Sequence, residues 1–113
     1  MKIAIRKTLI IIVCLVAVAC LIEALQLLSK ARNVKSASMC LSHLRVLDSL
    51  KAEWALENSK QSNSTPDWND LRPYFPKEWS NQIPVCPDGG VYIIRRVSEL
   101  PKCSIGGSMH SLQ

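Results

Sequence analysis

The sequence predicts an α+β chain: a long N-terminal helix, first membrane-spanning and then amphipathic, followed by a small head built on an antiparallel β-hairpin or sheet. Three observations predict it. An unbroken apolar run occupies the start of the chain, a three-to-four-residue apolar period follows without Gly or Pro, and short β-branched runs separated by Gly and Pro lie near the C-terminus. The organisation expected is a basic N-tail at 1–7, a transmembrane helix at 8–28, an amphipathic helix at 29–58 and an α+β head at 59–113.

The apolar run, TLIIIVCLVAVACLIEALQLL, extends from Thr8 to Leu28. At the helical rise its length reaches about 30 Å, the thickness of a bilayer's hydrocarbon core. Charge is missing from its first fifteen residues, and Glu23 and Gln26 enter only in the last two turns, where a polar group reaches the interface or a partner helix. Lys2, Arg6 and Lys7 precede the run, and Lys30, Arg32 and Lys35 follow it. The formal charge of +5 is therefore read as membrane flanking, and nucleic acid is not an expected partner because no basic patch carries base-stacking aromatics. The short N-tail favours a cytoplasmic N-terminus. A competing reading takes the same residues as an export signal: Ala17-Val18-Ala19 fits small-residue cleavage, and Cys20 then stands where a lipoprotein would be lipidated. Either reading exports the remainder of the chain.

Beyond Leu28, apolar residues at Ala37, Cys40, Leu41, Leu44, Leu47, Leu50 and Trp54 form one helical packing face. Arg45, Asp48, Lys51, Glu53 and Glu57 are expected on an opposite, solvated side. Asn58 and the following SKQSNS supply a stop and a loop. Thr65-Pro66-Asp67 then predicts a second, short helix, with Thr65 as cap and Pro66 in the first turn, ending near Pro73. Trp68, Leu71, Tyr74, Phe75 and Trp79 are expected to pack on the long helix as a core rather than line a ligand pocket. Val91–Ile94 and Lys102–Ile105 read as two strands, with Asp88-Gly89-Gly90 as turn chemistry before the first.

One frame occurs twice: PVCPDGG at 84–90 and PKCSIGG at 101–107. In an exported head Cys86 and Cys103 are expected to oxidise to a disulfide, whose loop closure contributes about 3 kcal/mol. A zinc site formed by Cys86, Cys103 and His110, with His43 as a further ligand, is the alternative. Its spacing lacks the CxxC or HxxxH pairs usual in structural zinc sites, so no metal or cofactor is expected. Cys14 and Cys20 belong to the apolar run, Cys40 to the packing face, and His110 to an exposed tail. No nucleophile, base and acid can be assembled, so the chain is not expected to be an enzyme or to act on a small-molecule substrate.

Larger stretches carry a family likeness. CLSHLRVLDSLKAEWALEN at 40–58 is similar to the CxxNLRxIxxAKxxWALEN segment of pilin-like proteins, and WNDLRPYF at 68–75 extends the match. PVCPDGGVYIIRRVSELPKCSIGGSMH at 84–110 is close to the P-x-CPxGGxYxxxxxxxxPxCSxxGH ending of the same group. With LSKAR at Leu28–Arg32, the chain resembles the type IV pilin and type II secretion pseudopilin family from Leu28 to His110. The resemblance implies a pilin-like fold and a single-pass inner-membrane protein with a periplasmic head. It also implies a non-enzymatic role as subunit or accessory of a pilus or secretion system, with other subunits as partners through helix packing. The N-terminus departs from the family. Ungapped alignment places Ile3, Ala4 and Thr8 where prepilins have Gly, Phe and Glu; sliding the frame puts Glu23 at the acidic position but Val18 at the Gly.

Overall fold

The computed structural model covers residues 1–113 and divides into two compact units, Met1–Asn33 and Val34–Gln113. Helix α1 spans Lys2–Glu57. No Gly or Pro occurs before Pro66, so nothing in the backbone interrupts the ladder.

In the first unit every residue is exposed, including Leu15, Leu21, Leu25 and Leu27, each more than 60 % accessible. The unit holds one helical window long and apolar enough to cross a membrane. Such a surface has no cover within its own unit. Its apolar side chains gain a favourable environment only from lipid or from other apolar helices.

The second unit is built on the remainder of α1. Ala37, Cys40, Leu44, Leu47, Leu50 and Trp54 are buried as the period predicts, while Leu41 is half-buried at the margin. Ala55 joins them. Asn58 ends the helix by folding its side-chain amide back to donate to the Trp54 carbonyl at 2.9 Å. Ser59 turns left-handed at φ 51°, which lets the Lys60 amide donate to the Ala55 carbonyl at 2.9 Å and closes the last turn.

Helix α2 is a single turn, Trp68–Leu71, followed by 3₁₀ turns at Arg72–Tyr74 and Lys77–Trp79. Its cap is Asp67 rather than Thr65. Asp67 accepts from the Asp70 amide at 2.8 Å, and Asp70 accepts in return from the Asp67 amide at 2.9 Å. Pro66 therefore precedes the helix, and Pro73 sits within the first 3₁₀ turn. The aromatic residues pack as a core, as expected. Phe75 meets Trp68 and Trp79 edge to face at 6.3 and 5.1 Å, and Trp79 meets His43 of α1 at 5.9 Å. Leu71 is fully buried among them. The Tyr74 hydroxyl donates to Glu57 at 2.6 Å, tying the 3₁₀ turn to the end of α1. That bond is the main reason the Tyr74 phenol is held above its ordinary pKa.

The sheet is shorter than the expected runs. β1 is Tyr92–Ile93 and β2 is Lys102–Cys103, paired antiparallel with Tyr92 opposite Cys103 and Ile93 opposite Lys102. Arg95 takes a left-handed φ of 65° immediately after Ile94, which ends the run.

Lys51 corrects the sequence reading. Its expected place was the solvated side, yet its side chain is fully buried. The ammonium donates to the Arg96 carbonyl at 2.8 Å and to the Glu99 carbonyl, and pairs with Asp48 at 3.5 Å. The loop between β1 and β2 thus turns its carbonyls onto α1, and the Val97 and Ser98 amides bond the Ser64 and Ser62 carbonyls to hold it there. A buried ammonium is tolerated where acceptors replace water. We expect Lys51→Met, which leaves those carbonyls without their donor, to lower head stability by about 1–3 kcal/mol in urea denaturation. Burial is the first cause that holds the Lys51 pKa below 10.5, with Asp48 opposing it. Between its folded value and 10.5 the unfolded chain binds the extra proton, so stability from this site rises with pH. The gap between wild type and Lys51→Met should accordingly widen as pH climbs toward 10.5 and stay level below the folded pKa.

Candidate metal centre

Four side chains with ligand atoms converge in the second unit: Cys40, Cys86, Cys103 and His110. Their three sulfurs and one ring nitrogen all lie within 4.8 Å of one another, and all four residues are buried. Each arrives from a different element. Cys40 projects from the buried face of α1 one turn before Leu44, Cys86 opens the turn ahead of β1, Cys103 ends β2, and His110 belongs to the C-terminal segment.

The repeated PxCxxGG frame builds two matching turns. The Gly89 amide donates to the Cys86 carbonyl at 2.9 Å, and the Gly106 amide donates to the Cys103 carbonyl at 3.1 Å. Gly89 and Gly106 hold φ of 90° and 69°, conformations that favour glycine. The second glycine of the first frame serves another purpose. A Cβ on Gly90 would stand 2.8 Å from the Cys103 sulfur and 2.9 Å from Ile105 Cγ1, so only a bare α-carbon lets the backbone pass this sulfur. We expect Gly90→Ala to destabilise the head by about 1–3 kcal/mol through overpacking, read from its denaturation midpoint. A Cβ on Gly89 would meet nothing within 4 Å, so Gly89→Ala reports backbone strain alone.

His110 is held at both ring nitrogens. Nδ1 lies 3.5 Å from the Cys86 sulfur, and Nε2 lies 3.1 Å from the Asp88 carboxylate. With Nε2–H donating to Asp88, the lone pair of Nδ1 faces the sulfurs. This carboxylate–imidazole arrangement is the one that orients histidines as metal ligands. Burial, aided by Cys86 and Cys103 and opposed by Tyr92, pushes the Cys40 thiol up to about 12. Burial likewise raises the Tyr92 phenol beside it.

The sequence reading expected Cys86 and Cys103 to be joined. In the structure no cysteine is bonded to another, and these two stand in a group of four with Cys40 and His110. It also placed Cys40 on the packing face, where it is found, and expected His110 to be exposed. Cys40 is fully buried within the group, and His110 is 8 % accessible. His43, the further ligand of the zinc alternative, is outside the group: its Nδ1 hydrogen-bonds the Tyr92 hydroxyl at 3.0 Å. Burial lowers its pKa. Cys14 and Cys20 are exposed on α1 in the other unit. The spacing rule searches for ligand residues close in sequence, so it does not register this group, to which α1 brings Cys40 from far upstream. The repeated Pro-Cys-Gly-Gly frame was the available signal. No family model, curated protein or solved structure matches this chain.

Proposed function

We propose that the protein is a non-enzymatic, pilin-like or pseudopilin-like subunit or accessory of a bacterial type IV pilus or type II secretion system. On this reading it is held in the inner membrane by residues 8–28, with its N-terminus cytoplasmic and its head periplasmic. The observation that carries the reading is the division of labour along α1. Its first half exposes apolar side chains on every side, and its second half buries one stripe under a small α+β head. Pilin-like subunits work by that division: apolar helices leave lipid to stack against one another, and heads present the outer surface. The sequence likeness from Leu28 to His110 supports the same assignment. The altered N-terminal processing frame favours an accessory over a standard filament subunit, because the residues at the cleavage and acidic positions differ.

A photo-crosslinker placed at Leu21 or Leu25 in native membranes tests the proposal. The expected products are adducts with other pilin-like or secretion subunits. Recovery of the full chain as a lone soluble monomer without adducts would overturn it. Intact mass of the membrane-extracted protein is expected to show an unprocessed N-terminus; a diacylglyceryl group on Cys20 would assign the chain to exported lipoproteins instead.

A further inference from the structure

We propose that Cys40, Cys86, Cys103 and His110 form a closed structural zinc site that locks the head onto α1. The site does not depend on the pilin-like assignment, since all four ligands lie within the second unit.

Ligand chemistry and geometry both select this occupant. Zinc bonds thiolate sulfur at about 2.3 Å and imidazole nitrogen at about 2.0–2.1 Å with tetrahedral angles, which places neighbouring ligand atoms roughly 3.5–3.8 Å apart. The Cys86 Sγ to His110 Nδ1 separation of 3.5 Å already has the length of one such edge. The remaining ligand atoms need only small movements from their present limit of 4.8 Å. Three sulfurs and one nitrogen complete the coordination of a structural site, leaving no position for water or substrate. Iron–sulfur clusters are ordinarily held by four thiolates, and calcium and magnesium prefer oxygen, so this donor set points to zinc among common metals.

The surroundings match a built site. Asp88 fixes the His110 ring through Nε2, and two glycine-closed turns present Cys86 and Cys103. Gly90 clears space beside the Cys103 sulfur. A disulfide between Cys86 and Cys103 would use two of these groups and leave the convergence of Cys40 and His110 without a purpose. A divalent cation uses all four: each thiol gives up its proton on binding, the imidazole supplies a lone pair, and no redox partner is required.

The test uses the full chain, extracted in detergent without chelator and carrying no polyhistidine tag. Elemental analysis should find one zinc per chain, and alkylation after unfolding in chelator should label all five cysteines. Exchange with cobalt should produce tetrahedral ligand-field bands and thiolate-to-cobalt charge transfer. His43→Ala and Cys14→Ser should keep the full zinc content, whereas Cys40→Ser and His110→Ala should lose it. Because the losing variants could misfold, His110→Cys supplies a second arm: it should retain metal and shift the cobalt spectrum toward four thiolates. Asp88→Ala should weaken zinc about 10–100-fold while leaving the ligand set unchanged. A chain that refuses zinc and cobalt after reduction overturns the proposal. So does one recovered from cells with a Cys86–Cys103 disulfide and no metal, or one whose zinc survives Cys40→Ser undiminished.

Discussion

Val16→Lys combined with Val18→Lys should release the chain from the membrane fraction. Each lysine at the centre of a spanning helix opposes insertion by about 2.5–3.5 kcal/mol, so the pair opposes it by about 5–7 kcal/mol. Both positions fall at the centre of the 8–28 run, where Val16 and Val18 are 58 % and 53 % exposed and touch nothing in their unit that could shelter an ammonium. The existing polar residues in the run do not anticipate the effect. Glu23 and Gln26 lie near its end, where a side chain reaches the headgroups, whereas the substituted positions lie too deep for a lysine stem to do so cheaply. Alkaline carbonate extraction of cell membranes reads the outcome: wild type pellets and the double variant enters the supernatant or is degraded. Leu56→Lys, on the far part of α1 and 84 % exposed, should pellet like wild type. Cys20→Ser separates the two modes of anchoring, since a spanning helix ignores it and a lipid anchor does not survive it. Retention of the double lysine variant would mean that residues 8–28 are not the anchor.

What could be read in advance follows from which forces act along the chain and which act across it. The packing stripe from Ala37 to Trp54 was legible because helical geometry repeats every three to four residues, and burial imposes the same period on the sequence. The aromatic core around Phe75 was legible because large rings in a short chain have few other places to go. Lys51 was not. A lysine on the stripe's edge looks solvated until a loop some 45 residues later turns two carbonyls toward it, and nothing local to α1 encodes that approach. Cap assignment failed more narrowly, since Thr65 and Asp67 are both good caps and only Asp67 has a reciprocal partner in Asp70. The sulfur group was half visible. The duplicated frame marked Cys86 and Cys103 as equivalent, but Cys40 carries the same helical phase as Leu44 and Leu47, so its chemistry was hidden by its fitness as a small apolar residue. His110 entered only the alternative zinc set, because a position near the end of the chain favours exposure.

Leu44→Ala should lower the stability of the head by about 2–5 kcal/mol, a large share of the 5–15 kcal/mol typical of a whole domain. Leu44 is fully buried in the cluster that joins Cys40, Leu47, Leu71, Tyr92 and Cys103, so the lost methyl groups leave a cavity between α1 and the elements it carries. Leu56→Ala, on the exposed side, should change stability by about 0.5 kcal/mol or less. Denaturation midpoints measured at one fixed zinc concentration provide the comparison, because a bound metal adds its own contribution to stability. The position has a second consequence. Leu44 lies one helical turn from Cys40 on the same face, so a cavity there frees α1 to shift the Cys40 sulfur relative to Cys86 and Cys103. Leu44→Ala and Cys103→Ser should therefore combine non-additively, with a coupling of about 0.5–3 kcal/mol in a double-mutant cycle. If the two effects simply add, the apolar core and the sulfur group hold α1 independently; coupling means that the side chains packing the helix also set the position of the Cys40 sulfur.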